Sequence, residues 1–201
     1  MKTIVVTGGI ATGKSTFIKY LFRDNNPSLA LFDCDQTVHT ILDSGQYADR
    51  LISAFGKDSV LDNQKANRDY LRKLIFNDQA AKKELEGIIH PILKQECLAL
   101  KALTMQNRCK KALIIDIPLF FETGADYEHD LVCTIALTPH TQVQRLMERN
   151  GFSMDIVQGI ITAQFPIMDK VNLSDVTIWN EGPLKILHQQ TERFYQHFIH
   201  D

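Results

Sequence analysis

Five short apolar runs punctuate the chain, at residues 3–7, 29–32, 111–118, 131–137 and 176–179. They are too short for core-covering helices, and all but 29–32 carry several β-branched residues, so each reads as a strand. Leu29-Ala30-Leu31-Phe32 is apolar throughout, as expected of a parallel strand covered on both faces. Between the runs, apolar residues recur at helical spacing. A first helix spans 14 to about 23 and ends in the turn residues Asp24-Asn25-Asn26-Pro27. A second follows residue 35, and 47–106 reads as mainly helical, with breaks at Phe55-Gly56, Asp62-Asn63 and His90-Pro91.

Local chemistry sharpens several boundaries. Asn67 is placed to cap a helix whose Leu71, Leu74 and Ile75 form one apolar face. At His90-Pro91 a helix is expected to restart with Pro in its first turn, where a missing N–H costs nothing. Leu119 to Gly124 reads as a loop. Thr138-Pro139 starts a helix carrying Arg145 and Arg149, one turn apart, that stops at Asn150-Gly151. A further helix, capped by Ser153, runs from 154 to about 164 and ends at Phe165-Pro166. In the last helix Leu184, Leu187, Thr191, Phe194 and Phe198 form a packing face, leaving His188, His197 and His200 on the surface.

The alternation predicts an α/β fold with a five-stranded parallel sheet in three layers. Its 201 residues, 44% hydrophobic and 23% charged, suit a single domain, 1–201, with a helical insertion at about 36–110 and a lid at about 139–175. A formal charge of -2 gives no general pull toward nucleic acid or a membrane surface. The four cysteines, Cys34, Cys97, Cys109 and Cys133, lack the spacing of a zinc site or a disulfide frame, so reduced thiols are expected. A strand begins within three residues of Met1, and no apolar run approaches the ~18 residues of a membrane span. A cytoplasmic protein, monomeric or weakly self-associating, is the expectation.

The most specific chemistry follows the first strand. Gly8-Gly9-Ile10-Ala11-Thr12-Gly13-Lys14-Ser15-Thr16 fits G-x-x-x-x-G-K-[ST], a phosphate-binding loop in the strand-to-helix context it requires. Gly8 and Gly13 let the backbone turn its N–H groups around an anion. Lys14 reaches the β- and γ-phosphates, the Ser15 hydroxyl is placed for Mg²⁺, and the helix starting at Lys14 turns its positive end to the phosphates.

Other candidates lie at strand ends, where open parallel sheets bind ligands. Asp33 and Asp35 follow the second strand. Asp33 suits either capping or substrate, whereas Asp35 is the better functional candidate, to handle Mg²⁺ or an acceptor proton. Asp116 closes an apolar strand in the manner of a Walker B acid that binds Mg²⁺. Glu122, in the loop beyond it, is a possible substrate contact. His90 suits a structural or a substrate role. Arg145 and Arg149 suit a solvated face or a lid that brings guanidinium to the transferring phosphate.

Taken in order, Thr7 to Thr16, Asp33-x-Asp35, Asn67-Arg68 with Leu71-Arg72 and Ile75-Phe76, His90-Pro91, Ile117-Pro118-Leu119 with Glu122 and Gly124, Gln144-Arg145-Leu146 with Arg149, Ala163-Gln164 and Asn180-x-Gly182 resemble the dephospho-CoA kinase family over nearly the whole chain. The resemblance implies transfer of the γ-phosphoryl of ATP to the ribose 3′-hydroxyl of dephospho-CoA. It implies Asp35, Lys14 and Arg145 as catalytic residues. ATP would be bound by Gly9, Ala11, Thr12, Gly13, Lys14, Ser15, Thr16, Arg145, Asn180 and Gly182. The acceptor would be bound by Thr7, Asp33, Asp35, Arg68, His90, Pro91, Pro118, Leu119 and Glu122. Ser15 and Asp116 would hold Mg²⁺.

Three positions depart from the family pattern: Ala11 stands where glycine is commoner, Lys170-Val171 where a basic pair is usual, and Trp179 where Asp is common. Two rival readings are a P-loop kinase for a nucleoside monophosphate or small alcohol, and an ATP-binding regulatory protein without turnover.

Overall fold

The computed structural model describes residues 1–23 and 26–200. The chain forms two compact units, one made of Met1–Phe32 with Leu103–Asp201 and the other of Asp33–Ala102. Of the predicted turn after the first helix, Asp24 and Asn25 lie outside the described residues.

Five strands, β1 (Lys2–Gly8), β2 (Leu29–Asp33), β3 (Ala112–Asp116), β4 (Leu131–Ala136) and β5 (Val176–Trp179), lie in the order β2-β3-β1-β4-β5. β1 runs parallel to β3, with Ile4 opposite Ile114, and to β4, with Ile4 opposite Leu131. β5 extends the sheet in parallel beyond β4. Central position explains the unbroken apolar runs: Ile4, Val5, Val6, Leu113 and Ile114 have no exposed surface. β2 departs from the expectation of cover on both faces. It is an edge strand, and Leu31 is 37% exposed.

Helix α1 (Lys14–Leu21) and helix α10 (Leu184–Tyr195) pack on the sheet. Phe17, Ile18 and Leu21 join Leu187 and Phe194 over Ile4, Val6, Ile114 and Ile135. Phe17 and Phe194 meet edge to face with ring centres 5.4 Å apart. Burying a side chain such as Phe17 contributes about 2–3 kcal/mol, so this cluster anchors the helix that carries the phosphate loop. The predicted face of the last helix needs one correction. Leu187, Thr191 and Phe194 are buried, but Leu184 is 61% exposed, because it opens the helix before the chain reaches the core. His188 is half-buried and stacks edge to face on Tyr20.

The second unit is helical. It holds α2 (Cys34–Asp43), α3 (Ala48–Phe55), α4 (Arg68–Asn77) and most of α5 (Gln79–Gln106). Leu51, Phe55, Ala66, Leu71 and Ala81 form its core, with Leu74, Leu85 and Ile88 against it. Asn67 caps α4 as expected, its side-chain oxygen accepting from the Tyr70 N–H at 3.2 Å. The break expected at His90-Pro91 does not exist: α5 runs unbroken for 28 residues, with Pro91 inside it. An interior Pro costs about 3 kcal/mol. Burial of Ile89, Ile92, Leu93 and Cys97 along one stripe offsets that cost.

The remaining helices are α6 (Phe120–Thr123), α7 (Pro139–Asn150), α8 (Met154–Thr162) and α9 (Ile167–Asn172). The expected loop after β3 is therefore a helical turn, closed by Gly124, and α8 stops two residues short of its expected end. The four thiols are free, Cys34, Cys97 and Cys133 buried and Cys109 exposed. Burial pushes the Cys97 thiol up to about 11. Among the described residues no helix is long and apolar enough to cross a membrane.

Candidate active site

β1 delivers the chain into the phosphate loop at Gly8, and α1 begins at Lys14. The turn depends on Gly13, whose φ of 93° lies in the left-handed region and whose missing Cβ leaves room for the Asn180 side-chain amide. No side chain caps α1. Its first backbone N–H groups therefore remain available to an anion, reinforced by the helix dipole. Ala11 has a φ of 61°, a conformation that an L side chain adopts only with strain.

Charge within the loop is paired. The Lys14 ammonium rests on Asp116 Oδ1, the carboxylate that closes β3. Both side chains are about seven-eighths buried, at 12% exposure each. Ser15, the next residue, is exposed in the first turn of α1.

Three later segments brace the loop through its backbone. From α7, Gln142 Nε2 donates to Ile10 O at 2.8 Å, and the Ile10 N–H donates to Gln164 Oε1 at 3.0 Å, beyond α8. A Cβ at Gly9 would stand 2.6 Å from that Gln142 amide, which would have to shift to admit it. Asn180, after β5, donates from Nδ2 to Thr12 O at 2.8 Å, and its own carbonyl accepts from the Arg145 guanidinium at 2.9 Å. Asn180 is 5% exposed, so its side chain is committed to the loop backbone. Arg145 is half-buried and Arg149 exposed. Glu181 fastens the same turn to α7, accepting from the Thr138 N–H and hydroxyl, both at 2.8 Å, and from the Thr141 hydroxyl. The Thr141 hydroxyl first, then the Thr138 backbone N–H, holds the Glu181 carboxyl below the usual carboxylate range.

Beyond β3, Thr7 Oγ1 donates to Pro118 O at 3.2 Å, and Leu119 is exposed. Glu122 Oε1 pairs with Lys170 Nζ at 2.6 Å and accepts from the Phe165 N–H at 2.9 Å. Glu122 Oε2 is buried without a partner among the described residues. Gly182 lies in the exposed turn before α10.

In the helical unit, Asp33 caps α2: its Oδ1 accepts from the Gln36 N–H at 2.9 Å. Asp35 sits in the first turn of α2, exposed, with no partner among the described residues. Arg68 pairs with Asp43 at 2.5 Å and donates to His39 O at 3.3 Å, leaving Nε buried and unpartnered among the described residues. These residues, with Gln36, Thr40 and Ser44, line an open cavity of about 450 Å³. His90 and Pro91 are exposed on α5.

Sequence reasoning gives no role to Gln142 or Glu181, and marks Gln164 and Lys170 only as positions in the family pattern, without a contact. Their contacts join residues 40 or more positions apart, and no local spacing announces them.

Among known families, the model described as Dephospho-CoA kinase matches residues 2–185. A dephospho-CoA kinase of Geobacillus kaustophilus is 35% identical over 181 residues, covering 90% of this chain and 88% of the relative. One of Lactobacillus johnsonii is 33% identical over 192 residues and 95% of each chain. The solved dephospho-CoA kinase of Campylobacter jejuni superposes with a TM-score of 0.72 at 28% identity, covering 96% of this chain and 95% of that one. The phosphate loop with its paired Lys14 and Asp116, on a parallel sheet ordered β2-β3-β1-β4-β5, thus accompanies a family match over nearly the full length, and the chain belongs to the dephospho-CoA kinase family.

Proposed function

We propose that this chain transfers the γ-phosphoryl group of ATP to the ribose 3′-hydroxyl of dephospho-CoA, giving coenzyme A and ADP in the last step of coenzyme A synthesis. The observation that carries the donor half is the uncapped start of α1 beside the Lys14 ammonium, behind a left-handed Gly13. The acceptor follows from membership of the family over residues 2–185.

Phosphoryl transfer passes through a loose transition state, so catalysis is mainly positioning and charge stabilisation. Gly9 and Ala11 to Thr16 wrap the ATP phosphates, with Asn180 and Gly182 on the nucleotide side. Lys14 leaves Asp116 for the β- and γ-phosphates, and Arg145 adds positive charge at the transferring group. Asp35 orients the 3′-hydroxyl and accepts its proton. Its exposed, unpartnered carboxylate among the described residues suits that task, and the proton leaves late enough that no strong base is needed.

The hydroxyl of Ser15 and the carboxylate of Asp116 are hard oxygen donors that fit Mg²⁺. This ion is usually held by one or two protein oxygens together with substrate phosphates. Bound there, it would neutralise charge on the phosphates. Asp116 closes β3 and is 9% exposed, which keeps that carboxylate fixed.

The helical insertion, about 36–110, supplies acceptor contacts from Arg68, His90 and Pro91, and Thr7, Asp33, Pro118, Leu119 and Glu122 are assigned to the acceptor by the family resemblance. Within the insertion, Arg68 Nε, a donor without a partner among the described residues, supports its part of this assignment. Segment 139–175 acts as the lid. The enzyme works in the cytoplasm, as a monomer or weak homo-oligomer, with no nucleic acid or membrane partner; its four free thiols suit a reducing compartment.

The test is ADP release with Mg²⁺ and ATP against a panel of dephospho-CoA, AMP, CMP, adenosine and no acceptor. Turnover confined to dephospho-CoA is expected. Turnover with a nucleoside monophosphate instead would reassign the insertion, and ATP binding without turnover would make this a regulatory protein.

A further inference from the structure

Lys170, in α9, has no exposed surface at all. A lysine is rarely buried so completely, because removing an ammonium from water is costly. Its Nζ lies 2.6 Å from Glu122 Oε1, 3.3 Å from Pro118 O and 3.5 Å from Gly8 O. Gly8 ends β1 and opens the phosphate loop, whereas Pro118 and Glu122 follow β3. One ammonium therefore spans the ends of two adjacent strands.

The same network returns to the loop by a second route. Glu122 Oε1 also holds the Phe165 N–H at 2.9 Å, and the preceding residue, Gln164, accepts from the Ile10 N–H at 3.0 Å. Segment 164–170 is thus tied to the phosphate loop at both ends, by Gln164 at the tip and by Lys170 at the base. Stability alone gives no reason for charge here, since a buried ion pair is often no better than an apolar pair of similar size. A fixed, multidentate donor gives something an apolar pair cannot, a defined position for Gly8 and for the backbone at 165.

We propose that Lys170 is a positioning residue for ATP. Through Gly8 O, Pro118 O and Glu122 it sets the phosphate loop in place and couples the 164–170 segment to it. This role rests on the reading of the loop as a site for ATP phosphates. Loss of the network loosens the loop before ATP arrives, so binding weakens while the groups that contact the transferring phosphoryl remain. The expected signature is weaker binding of ATP in the absence of any acceptor, at little cost in thermal stability.

The decisive variant is the double substitution Lys170→Met with Glu122→Leu, which removes both charges while roughly conserving volume. Calorimetric titration with a non-hydrolysable ATP analogue and Mg²⁺, beside a thermal melt, separates positioning from folding. The double variant should melt near the parent yet bind the analogue about tenfold more weakly, the scale of one or two lost hydrogen bonds. Parent-like melting with parent-like affinity would overturn the proposal. Should the double variant fail to fold, Gln164→Ala reads the same network at a half-buried position, with weakened analogue binding expected and unchanged binding overturning it. If the parent itself bound no analogue, the phosphate-loop reading would fail, and this role with it.

Discussion

Lys14 and Asp116 form an ion pair that joins the first turn of α1 to the end of β3. The two groups proposed to meet the phosphates and their metal thus neutralise each other, at 12% exposure each. In the proposed function, nucleotide binding exchanges this pair for phosphate on one side and metal on the other. Lys14→Ala removes the charge meant for the β- and γ-phosphates and takes that partner from Asp116. The expected result is a fall in kcat/KM of roughly 10²–10³-fold, with weaker ATP binding by titration. Unchanged ATP affinity would rule out the phosphate role.

Asp35 is separable from that socket. Asp35→Asn keeps size and shape and removes the proposed proton acceptor. ATP affinity should stay within about twofold, while kcat falls about 10²–10⁴-fold, as for loss of a general base. Steady-state kinetics with saturating ATP checks this, and near-parent kcat would deny Asp35 the role.

Ala11 carries strain that glycine would relieve. Its φ of 61° costs about 1–2 kcal/mol for an L residue, partly offset by the roughly 0.4–1 kcal/mol that Ala saves in the unfolded chain. Ala11→Gly should therefore raise stability by about 0.5 kcal/mol, a rise in Tm of about 1–2 °C. A lower Tm in calorimetry would mean that the methyl group packs usefully.

Glu181 gives a pH dependence of known sign. The Thr141 hydroxyl and then the Thr138 N–H favour its ionised form, so its folded pKa lies below the unfolded value. That stabilisation is fully present above the ordinary carboxyl pKa of about 4.3 and is lost as pH falls through the folded value. The difference in Tm between the parent and Glu181→Gln should be present at neutral pH and shrink on acidification below about 4. A constant difference would place the effect elsewhere.

Much of this architecture is legible in the chain. The five strands announce themselves because buried parallel strands are apolar on both faces, and the phosphate loop because its chemistry needs glycine and lysine at fixed spacing. The edge position of β2 is not legible, since Leu31 carries no mark of its exposure. Helices α6 and α9 are too short, at four and six residues, for a periodic signal to emerge. Pro91 misleads for a physical reason: its local penalty is real, but tertiary burial along α5 outweighs it.

The site divides in the same way. Lys14, Ser15 and Asp116 follow from motif and strand-end position. By position Asp33 suits a cap or a substrate contact, and its bond to the Gln36 N–H supplies the capping role. The bracing residues Gln142, Gln164 and Asn180 act on the loop backbone from more than 130 residues away, a relationship that only the fold creates. Lys170 runs against the ordinary expectation that lysine is solvated, so residue type alone does not reveal its burial.

The most direct measurement is the position of the phosphoryl group in the product. Purified protein is incubated with Mg²⁺, ATP and dephospho-CoA, and the product is identified by mass and phosphorus NMR. The account predicts one added phosphoryl group, on the ribose 3′-oxygen, with stoichiometric ADP. Unmodified dephospho-CoA, or a phosphoryl group on any other oxygen, would contradict it.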